Sequence, residues 1–263
     1  MIMPRANRYI VSGQIYHITH RCHNRSFLFK FGKDRDVYRS ILRDRLHRYP
    51  VACLGYCITS NHTHLLLKVE GIAEEVLGRF MQTLEGDFAQ WYNIRKKRKG
   101  AFWSDRYHAV MIDSGEYLWR CLRYIDLNMV RAGVVSSPAE WAWCGYQELS
   151  GLRSRYRVID REALADALAP GRAWPQIAEM YVATVQEVLH AERLVRESCW
   201  TESLAVGGER FVQRIGAQIA NRMNVETVNA NGIWLVRESP IAYSPFSASK
   251  NGSKRVKGLV SHL

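Results

Sequence analysis

Hydrophobic and polar positions follow two periods along the first 150 residues, and those periods predict the elements. Residues 14–20 are rich in β-branched and aromatic side chains and read as a strand. Residues 34–48 carry Val37, Ile41, Leu42 and Leu46 at helical spacing, with Asp34 as the expected N-cap. Residues 51–58 are apolar on both faces, as in a central strand, with Cys53 and Cys57 expected on one side of it. Thr59-Ser60-Asn61 is turn chemistry, so the strand beginning at His62 and ending at Val69 should be a hairpin partner. A long helix over 73–95 is marked by Val76, Phe80, Leu84, Phe88 and Trp91 along one side. A basic loop, Arg95 to Gly100, leads to a short strand at 107–112 and a helix at 115–131. The order β-α-β-β-α-β-α predicts an α+β fold of ferredoxin-like kind, an antiparallel sheet with helices on one face.

The character changes after residue 150. Helical spacing over 160–168, 174–194 and 209–222 predicts a C-terminal helical region, with Ile177, Tyr181, Val185 and Val188 as a clear stripe. From 237 the chain turns basic and rich in Pro and Ser. The expected organisation is therefore a catalytic unit over 1–150, a helical accessory unit over 151–236 and a flexible basic tail over 237–263. The accessory unit reads as a packing module or as a helix-turn-helix-like DNA reader, the second because Gly207-Gly208 breaks the chain ahead of 209–222.

Chemistry concentrates in two short segments. If residues 62–69 form a strand, His62, His64, Leu66 and Lys68 share one face, while Thr63, Leu65, Leu67 and Val69 face the core. Two imidazoles on one face can hold a divalent cation, although half-exposed polar residues on a solvent face would show the same pattern. On the helix over 115–131, Leu118, Leu122, Ile125 and Met129 form the core stripe, and Tyr117, Tyr124, Asn128 and Arg131 fall on the adjacent arc. Asn128 lies one turn from Tyr124, and its amide oxygen is a sensible third ligand for Mg²⁺ or Mn²⁺. A cation site facing a tyrosine suggests phosphodiester chemistry through a covalent phosphotyrosine.

Charge points the same way. The 263 residues carry a formal +12, which favours a polyanionic partner, nucleic acid before membrane. No long apolar span is present and the start, Met1-Ile2-Met3-Pro4-Arg5, lacks a secretory h-region, so a soluble cytoplasmic protein is expected. Candidate DNA contacts are Arg106, Lys68, Arg123, Arg131 and the basic loop with Lys96, Lys97 and Arg98; Trp103 and Tyr107 would either stack unpaired bases or simply fill the core. The six cysteines have no framework spacing and read as free buried thiols. His17, His20, Cys22 and His23 resemble a zinc cluster but lack a second ligand pair at usable spacing.

Four blocks occur in order: Tyr16-His17-Ile18-Thr19; Ser60-Asn61-His62-Thr63-His64-Leu65-Leu66-Leu67; Gly100-Ala101-Phe102-Trp103-Ser104-Asp105-Arg106-Tyr107; and Arg123-Tyr124-Ile125-Asp126-Leu127-Asn128-Met129-Val130-Arg131-Ala132-Gly133. Together they resemble the single-tyrosine HUH transposases and, among those, the REP-associated tyrosine transposases. The resemblance implies a ferredoxin-like HUH domain that cleaves and rejoins single-stranded DNA with hairpins; separately, a monomer or homodimer is expected. It implies His62 and His64 as the histidine pair, Tyr124 as nucleophile and Asn128 as the additional ligand of the divalent metal. The chain departs from the family pattern at Thr63, usually bulky and hydrophobic, at Met129, usually proline, and at Cys22-His23-Asn24-Arg25, where a glycine usually opens the turn. A protein of the same fold that binds hairpin DNA or RNA without cutting it is the competing reading.

Overall fold

The computed structural model describes residues 10–191, 194–230 and 232–239. The predicted order is present: β1 (Ile15–Arg21), α1 (Gly32–Leu46), β2 (Val51–Ile58), β3 (His62–Val69), α2 (Ala73–Arg95), β4 (His108–Ile112) and α3 (Glu116–Asp126). The helix expected over 115–131 breaks at Leu127 (φ −81°, ψ 6°) and resumes as α4 (Asn128–Arg131). The N-cap of α1 is Phe31 rather than Asp34; Asp34 sits three residues on and its carboxylate accepts the Phe31 N–H at 2.9 Å.

Beyond residue 150 come α6 (Arg161–Leu168), α7 (Trp174–His190), α8 (Cys199–Glu202) and α9 (Glu209–Ala220), after the short α5 (Tyr146–Leu149). The expected helices are joined by strands that periodicity did not resolve, β5 (Ala205–Gly207), β6 (Val225–Ala230) and β7 (Ile233–Glu238). These extend the sheet to seven strands in the order β2-β3-β1-β4-β5-β7-β6, β5 running parallel to β4. The first four in that order, all antiparallel neighbours, are the ferredoxin-like arrangement. Of the tail expected over 237–263, residues 237–238 close β7 and 240–263 lie outside the described residues.

Residues opposite one another in an antiparallel pair share a face. Thr19 opposes His64 and His17 opposes Leu66, so these four lie on one side of the sheet. Ile18, His20, Thr63 and Leu65 lie on the other, which α1 and α2 cover. There Glu85 of α2 accepts a hydrogen bond from Tyr38 of α1 at 2.9 Å and approaches His20 at 3.5 Å. The first face is covered by α3 and α8, which supply Tyr124 and Trp200. Cys53 and Cys57 were expected on one face but fall on opposite ones: Cys53 opposes Leu67 and Cys57 opposes His64, because a register shift between Cys53 and Gly55 adds a residue to β2. The described cysteines are all free and, Cys199 apart, buried. Among the described residues no helix is long and apolar enough to cross a membrane.

Burial raises the Glu85 carboxyl above its usual range, against the lowering effect of His20 and Tyr38. A carboxyl raised in the folded state stabilises the fold at low pH, and that contribution is lost as pH rises through the folded value. Urea titrations from about pH 4 upward should therefore show wild type losing stability relative to Glu85→Gln as pH rises. A constant difference would show that the Glu85 carboxyl is not shifted between the folded and unfolded states.

Candidate active site

The pleat of β3 puts His62 and His64 on the face toward α3, with ring centroids 4.8 Å apart and planes at 78°. β1 adds a third imidazole, His17, stacked on His64 at 5.0 Å. From α3, Tyr124 brings its ring to 6.2 Å from that of His64 and 6.3 Å from that of His17. One turn on, the Asn128 carboxamide nitrogen lies 3.1 Å from His64 Nε2. The core stripe that carries Tyr124 into this position is the predicted one: Leu118, Leu122, Ile125 and Met129 are all buried. Asp126, between Tyr124 and Asn128, anchors this stretch of chain, accepting the Tyr181 hydroxyl at 2.6 Å and the Tyr146 N–H at 3.1 Å. Burial pushes its carboxyl up to about 7.

All three imidazoles are kept neutral. Burial holds His17 down at about 4, and burial with the Arg21 charge beyond it holds His62 at about 3. His64 is well below the usual imidazole value, again through burial first and then its histidine neighbours. Neutral imidazole is the ligand form of histidine. Nδ1 of His62 is engaged by Asn61 Oδ1 at 2.6 Å and Thr59 Oγ1 at 2.9 Å, so its Nε2 is the ring atom left to coordinate. His64 Nδ1 meets His17 Nε2 at 2.8 Å, and His17 Nδ1 meets the Trp200 carbonyl at 2.7 Å. Two neutral imidazoles and a carboxamide fit a divalent cation, with a mixed nitrogen and oxygen character that suits Mn²⁺ better than the all-oxygen preference of Mg²⁺. Asn128 would offer Oδ1 after a turn of its amide. Among the described residues no group of three or more His, Cys, Asp or Glu is arranged to hold a metal.

Tyr124 is 7% exposed. Burial raises its phenol, and the Arg131 guanidinium, 4.1 Å over the ring, pulls the other way. Arg131 also donates to the Tyr124 main-chain carbonyl at 2.9 Å.

The remaining candidates divide. Arg106 is exposed and lines a cavity of about 120 Å³ with Thr19, Arg21, His108 and Thr201. Arg123 is half-buried on α3. Lys68 lies at the far end of β3 from the histidines, 3.6 Å from Asp166. Trp103, partly buried, stacks on His20 at 4.3 Å, donates to the Glu85 carbonyl and packs against the core, to which the buried Tyr107 belongs. In the basic loop, Arg98 ties down Asn93, Gly100 and Ala101, Lys96 sits 4.2 Å over the Phe31 ring, and Lys97 is exposed. The zinc-like group is split by the pleat, with His17 on the tyrosine side and His20 on the other. Sequence reasoning missed His17 as a partner of His64, although its place two residues before Thr19 on a strand carries the signal. It also missed Arg21, which opposes His62 across the β1–β3 pair.

Residues 10–128 match the model of the IS200-like transposase family. The resemblance carried by the four blocks is thus borne out at family level, and a transposase-like role goes with it. The chain is similar to a solved REP-associated tyrosine transposase bound to a REP hairpin, with 16% identity over 65% of this chain and 98% of that one, at a TM-score of 0.48. It is also similar to a putative transposase from Deinococcus radiodurans R1, with 19% identity over 41% of this chain and 84% of that one, at a TM-score of 0.32. None of the curated proteins matches it.

Within the transposase-family segment, Asp126 sets the end of α3. Asp126→Ala leaves two buried donors unpaired, so it should cost about 2–4 kcal/mol of unfolding free energy. The urea midpoint reads this directly, and a loss below about 1 kcal/mol would remove Asp126 as the anchor.

Proposed function

We propose that the protein cuts and rejoins single-stranded, hairpin-containing DNA through a 5′-phosphotyrosine at Tyr124, as a single-tyrosine transposase. The observation that carries this reading is the convergence of Tyr124 and Asn128 from one segment with His62 and His64 from another, the tyrosine ring 6.2 Å from that of His64.

The chemistry follows from the groups present. The phenol gives up its proton, its oxygen attacks phosphorus, and the bond to the 3′ oxygen breaks. That oxygen leaves with the electron pair and takes up a proton, so the products are a 5′-phosphotyrosine and a free 3′-OH. The ester energy is retained, and the 3′-OH of another strand can reverse the step and release the tyrosine without ATP. Burial opposes formation of the phenolate, while the cation of Arg131 over the ring favours it. His62, His64 and Asn128 would hold a divalent cation, Mn²⁺ or Mg²⁺, which when bound supplies Lewis-acid polarisation of a non-bridging phosphate oxygen. Arg21 and Arg106, at the cavity beside Thr19, are suited to the flanking phosphates. Arg123, Lys97 and Lys96 add positive charge further out, within a chain of net charge +12.

One observation favours a second reading. Tyr124 is nearly buried and its phenol is raised, which suits a protein that binds hairpin DNA or RNA without cutting it.

Incubation with single-stranded hairpin DNA and Mn²⁺ or Mg²⁺ separates the two. Cleavage requires a denaturation-stable protein–DNA adduct that is absent in Tyr124→Phe. Tight binding without adduct across a hairpin panel supports the second reading. His64→Ala should abolish the adduct and keep most of the hairpin affinity, because affinity resides in cationic contacts to phosphate. Loss of both together would give the histidines a structural role instead.

A further inference from the structure

His17 is a fully buried polar side chain on the tyrosine face for which the chemistry above has no role. It has two ring nitrogens and two partners: Nδ1 lies 2.7 Å from the Trp200 main-chain oxygen and Nε2 lies 2.8 Å from Nδ1 of His64. A carbonyl oxygen only accepts hydrogen bonds, so Nδ1 of His17 must carry the proton. In a neutral imidazole its Nε2 is then an acceptor, and the matching donor can only be Nδ1–H of His64. That leaves the lone pair of His64 on Nε2. Two hydrogen bonds thus run in one direction, from His64 through His17 to Trp200. Reversing either ring would set two lone pairs against each other at one of these contacts.

We infer that His17 is a positioning residue, which uses the fixed carbonyl of Trp200 to hold His64 as its Nδ1–H tautomer with Nε2 turned out as a ligand. The inference rests on the metal-centred reading above and deepens it. It also gives the chain beyond residue 150 a part in the site, because the acceptor that sets the polarity belongs to α8. The acceptor is a main-chain atom, which no side-chain substitution removes. Outer partners that orient a ligating imidazole in this way are worth about 10–100-fold in metal affinity.

The test uses the full-length protein and three forms of it: wild type, His17→Phe, which keeps a ring but cannot hydrogen-bond, and His17→Gln, whose amide can donate to Trp200 and accept from His64. Long-range ¹H–¹⁵N spectra of the metal-free protein read the tautomer of His64, and calorimetric titration with Mn²⁺ reads affinity. The expected result is a single Nδ1–H tautomer in wild type and His17→Gln. His17→Phe should show a tautomer mixture and Mn²⁺ affinity lower by about 10–100-fold. An Nε2–H tautomer in wild type, or wild-type Mn²⁺ affinity in His17→Phe, would overturn the inference. Should His17→Phe fail to fold, the wild-type tautomer and the His17→Gln titration still decide it. Wild type with the Nδ1–H tautomer but no Mn²⁺ binding would sink the metal reading of the preceding section and leave the orientation of His64 standing.

Discussion

The register of β1 against β3 is the constraint from which the rest of the site follows. Thr19 opposes His64 and Arg21 opposes His62, so His17, Arg21, His62 and His64 leave the sheet on one side. A slip of one residue would send the imidazoles of one strand to the opposite face, among the apolar side chains beneath α1 and α2. That slip is blocked by Leu65, Leu67 and Ile18, fully or almost fully buried on the helical face, which would have to change places with them. The apolar side of the sheet thus fixes the polar side. It also fixes charge state, since the face closed over by α3 and α8 is dry enough to keep all three imidazoles neutral.

A second constraint aligns the tyrosine with that face. α3 lies so near β2 that a Cβ on Gly55 would stand 2.4 Å from Leu122 Cδ1. Glycine therefore leaves room on β2 for the Leu122 side chain of α3. The C-terminal end is set by Asp126, whose two hydrogen bonds tie it to α5 and α7. The break at Leu127 comes immediately afterwards, so Asn128 begins a new turn. Anchor, break and ligand candidate occupy consecutive positions.

Much of this was legible in the sequence, and the parts that were not have identifiable physical reasons. Periodicity found β3 to the residue and the buried stripe of α3, because both depend on burial of neighbours along one element. The opposite placement of Cys53 and Cys57 comes from a bulge, which inverts facing without leaving a mark in composition. β5 has three residues, too few to display a period. His17 carries a period-2 signal but gains its meaning only from a partner 47 positions away. The Trp200 contribution is a carbonyl oxygen, common to every residue type, and so has no sequence signature. Trp103 and Tyr107 have the composition of a stacking platform, yet Trp103 spends its ring on His20 and its N–H on the Glu85 carbonyl.

The charge balance of the site links its two proposed ligands. No carboxylate joins His62, His64 and Asn128 in a metal-holding cluster among the described residues. A divalent cation held by two neutral imidazoles and an amide keeps its whole double charge, and Arg131 and Arg21 stand nearby as further positive groups. Such a site holds the cation less tightly by itself than when an anion shares it. On the reading proposed here the phosphodiester is that anion, so cation and DNA each raise the affinity of the other by the same factor. On that reading the proposed site works through what it leaves out as much as through what it contains: a carboxylate in place of Asn128 would hold the cation unaided and weaken its pull on the phosphate.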